Sequence, residues 1–339
     1  MENIKFGFGI QWHLTDECDQ RCKHCYVWQN KKSQRKEAMD IKRCHAIIDN
    51  IAKFGRKRKL EMNFALTGGD PLLFPFFWEV AKRLNEKKWE WIVLGNPFHL
   101  DLSVALRLKE LGCTRYQMSI DGIKKTHDSI RKKGSFDSTL EKIKILKEAG
   151  IISLVMTTVF KENIDEIPEV TRICADSGVD LIAFARYGGN GQNGISPMRY
   201  RKFLEEMHQL YLSLEGKGSN FSYKDHLWKL FFLESGMAVI DEKNEEIVDG
   251  CHCGFGHLSI LPNGDVYACR RFDSLVGNAL ENSMDNIFLS DKMEEYRNVD
   301  EMECGSCELK LYCRGCPAVS YGEYGDWKRK DPQCWKELT

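Results

Sequence analysis

From residue 8 to about 186 the chain alternates short apolar runs with longer stretches that are apolar on one side only. Parallel strands joined by crossover helices read this way. The runs "GIQWHLT", "EMNFALT", "WEWIVLG", "RYQMSID", "ISLVMTTVF" and "DLIAFAR" are the expected strands. Helices are expected near 40–55, 76–88, 101–112, 137–149 and 163–177, several of them stopped by a glycine directly before the next strand. Six βα-type units in succession predict an open or partial α/β barrel, whose chemistry sits at the C-terminal ends of its strands.

After Arg186 the pattern breaks at "YGGNGQNGISP", a Gly- and Asn-rich boundary or loop. Two helical stretches follow, near 197–214 and 223–235, the second strongly apolar on one face and expected to pack on the barrel. From Cys251 onward the texture is cysteine-rich, with eight of the chain's 14 cysteines and few large apolar residues. Bound metal would supply the constraint that such a region lacks.

Composition narrows the class. The 339 residues carry a net charge of -1, with 42% hydrophobic and 29% charged residues, which suits a globular chain able to bury a sizeable core. Balanced charge gives no basis for nucleic acid as a partner. The run Arg56 to Lys59 reads as a solvated helix end. No run of 18 apolar residues and no export-type N-terminus occurs, so a cytoplasmic protein without a membrane segment is expected. In a reducing compartment cysteines bind metal or react rather than form disulfides. Cys44, Cys113 and Cys174 fall inside barrel elements and read as buried apolar residues.

The stretch "TDECDQRCKHCYV" places Cys18, Cys22 and Cys25 after the first strand with C-x3-C-x2-C spacing. Structural zinc normally takes four ligands, and a cubane iron-sulfur cluster usually takes four thiolates. Three ligands leave a metal position open for something to bind and react. Here the residues resemble the radical S-adenosylmethionine (SAM) superfamily. The resemblance implies a [4Fe-4S] cluster whose open iron chelates SAM, with an electron from the cluster cleaving it to methionine and a 5'-deoxyadenosyl radical that abstracts a substrate hydrogen. "TGGDP", Thr67–Pro71, looks like the family's Gly-Gly-Glu motif with Asp70 in place of Glu, and implies a SAM ammonium site at Gly68, Gly69 and Asp70. "MSIDG" resembles the ribose-binding segment, with Ser119 as the contact, and Arg131 in "HDSIRKKGSF" would pair with the SAM carboxylate. His24 stands at a position near the adenine that is often aromatic in the family.

"CHCGFGHLSILPNGDVYAC", "CGSCELKLYCRGC" and Cys334 resemble the SPASM extension of certain radical SAM enzymes. The resemblance implies two auxiliary [4Fe-4S] clusters, three clusters in all. The first would use Cys253, Cys269, Cys316 and Cys251, one of the close pair Cys251 and Cys253 being spare in an open-iron variant. The second would use Cys304, Cys307, Cys313 and Cys334. Cys316 comes one residue early for the pattern. A zinc ribbon would space its pairs about 15 to 20 residues apart, which these cysteines do not.

Fold and domains follow from the resemblance: a partial (β/α)6 TIM-like barrel over 1–195, a helical bridge over 196–250, and a C-terminal cysteine-rich iron-sulfur SPASM domain over 251–339. Enzymes of this build mostly modify ribosomally made peptides, so an oxidative peptide modification is expected, a cysteine thioether first. The alternatives are sulfatase-type side-chain oxidation, radical small-molecule biosynthesis, and a non-catalytic electron carrier. Sulfatase-type relatives tend to have Asp after the Gly-x4-Cys cysteine, where this chain has Arg270. An external electron donor of flavodoxin or ferredoxin type is implied. Because the barrel begins almost at residue 8, leader recognition falls to a separate leader-binding protein or to the bridge helices. Asp265, Tyr267 and His257 are the weak substrate-side candidates, and a polar residue in a hairpin turn is usually only a turn residue.

Overall fold

The structure, a computed structural model, describes residues 7–29, 39–189, 194–241 and 247–337. Its strands are β1 (Gly7–Thr15), β2 (Glu61–Gly68), β3 (Glu90–Leu94), β4 (Cys113–Ser119), β5 (Ile152–Val159), β6 (Leu181–Arg186), β7 (Asn220–Ser222), β8 (His257–Ile260), β9 (Asp265–Tyr267) and β10 (Leu275–Asn278). All six expected barrel strands form. The five expected helices appear as Ile41–Arg58, Phe77–Glu86, Leu102–Glu110, Ser135–Glu148 and Ile167–Asp176. Sequence reading missed the helix Lys124–Ile130, whose seven residues are too short for a periodic signal. Of the glycine-rich stretch after Arg186, residues 190–193 lie outside the described residues.

Packing groups the chain into two compact units that are not contiguous in sequence. The first comprises Met1–Met118, Arg131–Ser153 and Cys253–Arg297; the second comprises Ser119–Ile130, Leu154–His252 and Asn298–Thr339. In the first unit β1 to β4 pair in parallel in chain order, and β8 pairs in parallel with the free side of β1. β9 and β10 then continue antiparallel from β8.

Alternation sorts the first unit's side chains by face. Phe8, Ile10, Trp12 and Leu14 of β1, with Met62, Phe64 and Leu66 of β2, are buried on the helix side. Phe8 meets Phe54 of the helix Ile41–Arg58 with ring centroids 5.2 Å apart. The opposite face is polar: Gln11 aligns with Ser259, and His13 with Thr67. That polar face is the floor on which a site can be built.

The helix Ile41–Arg58 starts at Asp40, whose carboxylate accepts from the Arg43 N–H, and ends in three cations that suit its C-terminal dipole. The basic run is solvated as expected, with Arg56, Lys57 and Lys59 exposed, and it is also anchored. Lys57 and Arg58 both pair with Asp285, Arg58 at 2.7 Å, and Asn50 donates to the carbonyls of Ala279 and Asn282. These contacts fasten Cys253–Arg297 to the first helix. Cys44, Cys113 and Cys174 are buried as expected.

In the second unit β5, β6 and β7 pair in parallel. The helix expected at 197–214 spans Pro197–Leu214, capped by Ser196, while the one expected at 223–235 is shortened to Trp228–Glu234. Tyr200, Phe203, Trp228 and Phe231 form its core. At the end of β6, fully buried Arg186 pairs with Asp225 at 2.8 Å and takes Asp331 in a fork whose Nη2–Oδ2 arm measures 2.8 Å.

Candidate functional site

The three-cysteine loop leaves the end of β1 and is pinned by the end of β2. Gly69 N–H donates to the Thr15 carbonyl and Asp70 N–H to the Glu17 carbonyl, both at 2.7 Å. The two glycines exist for this approach: a Cβ on Gly69 would stand 2.1 Å from the Glu17 carbonyl oxygen, and one on Gly68, at φ +143°, 2.1 Å from that of Thr15. Gly69→Ala is therefore expected to break the loop's anchor and cost about 2 kcal/mol or more. Iron content and SAM affinity of the variant check this, and both should fall.

Within the loop, Cys18, Cys22 and Cys25 are half-buried, with Cys25 N–H closing a turn onto the Cys22 carbonyl. Two side chains direct N–H groups at the sulfurs. Asn96, after β3, lies 3.8 Å from Cys18 Sγ and donates to Asp19 at 2.8 Å; Arg131 Nη1 lies 3.8 Å from Cys22 Sγ. Donors to thiolate sulfur stabilise its charged form. Asn96 carried no sequence motif, and only its place beyond β3 marks it. Burial pushes the Cys18 thiol up, so deprotonation there calls for a metal.

Asp70 is fully buried. Its carboxylate accepts from Leu72 N–H at 3.0 Å and Asn96 N–H at 3.3 Å, and burial raises its pKa to about 6. This residue thus braces the loops around the cysteines. His24 is half-buried within the loop, and Ser119 closes β4.

On the polar face, Gln11 and His13 lie 3.3 Å apart, and Tyr26, next to Cys25, hydrogen-bonds Gln11. His257 Nε2 is 3.3 Å from Ser259 Oγ. Burial, then the charges of Arg270 and His257, hold His13 neutral. Asp265 is bound by Asn263 at 2.7 Å and Asn278 at 3.0 Å, which makes it a stabiliser of the β8–β9 turn. Tyr267 is buried in β9.

The cysteines of the last quarter divide between the units. In the first, Cys253 and Cys269 both lie close enough to Tyr296 to raise its phenol pKa, after burial. In the second, the sulfurs of Cys251 and Cys316 both hydrogen-bond His226, a neighbour that no spacing foretold. The expected first auxiliary set thus has two members in each unit. Cys304, Cys307, Cys313 and Cys334 all line one pocket of the second unit, together with Leu309 and Asp331. Burial pushes the Cys304 thiol up to about 12 and raises Cys313 and Cys334 too, so these sulfurs stay protonated until a metal takes them. A pocket whose soft donors are four sulfurs fits an iron-sulfur group.

The pattern that defines the radical SAM superfamily matches residues 12–174, and that of SPASM, an iron-sulfur cluster-binding domain, matches 251–317. The chain carries a radical SAM domain followed by a SPASM domain. As a radical SAM protein it is an enzyme with a TIM-like α/β fold and a C-terminal SPASM domain, and both domains imply SAM and iron-sulfur clusters. It is similar to an AdoMet-dependent heme synthase of Methanosarcina barkeri, 26% identical over 96% of this chain and 95% of that protein. It is also similar to the mycofactocin maturase MftC of Mycolicibacterium smegmatis, 28% identical over 96% of this chain and 82% of the relative. Among solved structures, Streptococcus suis SuiB bound to precursor peptide SuiA has TM-score 0.76 and 17% identity, covering 98% of the radical SAM chain and 76% of SuiB. No helix among the described residues is long and apolar enough to cross a membrane.

Proposed function

We propose that this radical SAM enzyme oxidises a peptide, with a bond between a cysteine sulfur and a carbon as the first product to look for. The observation that carries the reading is the pocket lined by Cys304, Cys307, Cys313 and Cys334, a sulfur site additional to the three-cysteine loop. Closing a C–S bond removes two hydrogens, one as an atom taken by the 5'-deoxyadenosyl radical and one as the thiol proton, and leaves one electron over. Bound iron-sulfur groups supply the electron that cleaves SAM and take up the one left over. Cys18, Cys22 and Cys25 are the proposed ligands of the SAM-cleaving cluster, and Cys304, Cys307, Cys313 and Cys334 those of an auxiliary one. Gly68, Gly69, Asp70 and Arg131 are the proposed SAM contacts of the first unit, and Arg131, whose Nη1 lies 3.8 Å from Cys22 Sγ, is the proposed partner of the SAM carboxylate. The names MftC and SuiB, maturase and binder of a precursor peptide, support a peptide substrate.

A second reading, chemistry on a small tetrapyrrole, is favoured by the heme synthase relative, which the chain matches over nearly the whole length of both. One experiment separates the two. Anaerobically reconstituted, reduced enzyme is given SAM with either the short peptide encoded beside its gene or iron coproporphyrin. A peptide two hydrogens lighter per bond supports the first reading; an unchanged peptide together with a converted porphyrin replaces it with the second.

A further inference from the structure

Arg270 follows Cys269 directly and is 3% exposed. Its Nε and Nη2 are buried and meet no hydrogen-bond acceptor, and it enters no ion pair among the described residues. Nε–H and Nη2–H form one edge of the guanidinium, the side-on fork that a carboxylate fills with two parallel bonds. A buried cation with that edge unfilled is unfavourable, and a bound anion removes the penalty.

The surroundings point the same way. The guanidinium carbon lies 5.1 Å from the ring of Tyr26, the residue after Cys25, so the fork stands beside the three-cysteine loop. His13, fully buried and close enough for the Arg270 charge to act on it, also has an Nδ1 without a hydrogen-bond partner. Asp16 is a carboxylate within electrostatic reach, and it does not close on Arg270; its Oδ1 too has no hydrogen-bond partner. The backbone explains why. The carbonyls on either side of Asp16, those of Thr15 and Glu17, are both tied to the end of β2, which fixes Asp16 in place.

We propose that Arg270 is a substrate-positioning residue that receives a carboxylate of the substrate beside the three-cysteine loop. The proposal deepens the reading of the chain as a substrate-modifying enzyme and holds for either substrate class: an acidic side chain or terminus of a peptide, or a propionate of a tetrapyrrole.

The test uses the full-length, cluster-loaded protein under anaerobic conditions. Glutarate should raise the melting temperature of the native protein while glutaramide, its uncharged analogue, does not. Arg270→Met should abolish the shift, Arg270→Lys should keep only part of it because ammonium lacks the fork, and Asp16→Asn should retain it. SAM affinity should be the same in the native protein and Arg270→Met. Two further arms identify the source: the neighbouring peptide with its acidic residues changed to amides, and iron coproporphyrin against its methyl ester. The true substrate should bind Arg270→Met about tenfold or more weakly, and its neutralised form should bind both proteins alike.

Absence of any glutarate shift, an equal shift from glutaramide, or a shift that survives Arg270→Met overturns the proposal. So does a loss with Asp16→Asn equal to that with Arg270→Met, since Arg270 would then be a counter-ion of Asp16. A fall in SAM affinity would reassign Arg270 to the cofactor's own carboxylate. If the peptide is never modified but the glutarate shift depends on Arg270, the peptide reading fails and this assignment stands. The reverse outcome removes the assignment alone.

Discussion

Changing Cys18, Cys22 and Cys25 together to Ala is expected to abolish 5'-deoxyadenosine formation from SAM and to lower bound iron by about four atoms per chain. Asp70 is buried and engaged by backbone N–H groups, and Asn96 and Arg131 offer only N–H groups toward the sulfurs. Each single variant should lose nearly as much activity as the triple, because ligands of one cluster act as a unit. The measurement is chromatographic 5'-deoxyadenosine after reduction, with iron assayed on the same sample. Iron should remain in the triple variant, held by the C-terminal cysteines. An active triple variant would remove the basis for the SAM-site assignments.

The second large effect concerns stability. Arg186→Met should destabilise the second unit by about 3–5 kcal/mol, because it strips the partner from two buried carboxylates. Asp225 is 6% exposed and Asp331 2%, so neither can turn to water. Asp331 also accepts from the Cys316 N–H at 2.8 Å, and its carbonyl from the Cys334 N–H at 2.9 Å. Loosening Asp331 should therefore also lower iron retention by the four-cysteine pocket. Arg186→Lys keeps the charge without the fork and should fall between. Denaturant unfolding with iron analysis checks both effects.

The pH dependence of this pair has a definite sign. Burial alone would push Asp225 up, but Arg186, His226 and the Leu227 N–H outweigh it and hold it below the ordinary carboxylate value. Its contribution is then fully present above about pH 4 and is lost as pH falls through the lowered value. In Arg186→Met the sign reverses, since a buried carboxyl without a cation prefers its proton. The deficit of the variant should shrink between pH 7.5 and 5.5, whereas the native protein should show no gain from Asp225 over that range. A deficit constant across those pH values would show that Arg186 stabilises by packing and not through its carboxylate partners.

Much of this was legible along the chain. Short apolar runs alternating with longer amphipathic stretches were enough to find six strands, because parallel strands covered by crossover helices leave that rhythm in the chain. The three-cysteine spacing and the Gly-Gly-Asp turn were legible for a similar local reason: a loop that must gather three sulfurs has few spacings available. The helix expected near 197–214 forms as Pro197–Leu214, and the structure shows Ser at its N-cap and Pro at its first position.

What the chain order could not reveal depends on contacts between residues far apart in it. Nothing along the chain tied Lys57 and Arg58 to Asp285, which folding brings to them across more than two hundred residues. Asn96 belongs to no motif, yet the close of β3 puts its amide on Cys18; His226 is one of nine histidines until Cys251 and Cys316 meet it. Arg270 could be read in sequence only as a departure from a pattern. Its burial with an unfilled fork emerges once β8 aligns with β1, since a charge's environment is set by the whole packed unit and not by its neighbours in the chain. Sequence alone thus located most of the elements and the cysteine spacings and pointed to iron-sulfur and SAM chemistry. Tertiary structure decided which polar groups face those sulfurs, because burial and hydrogen-bond partnership are properties of packing.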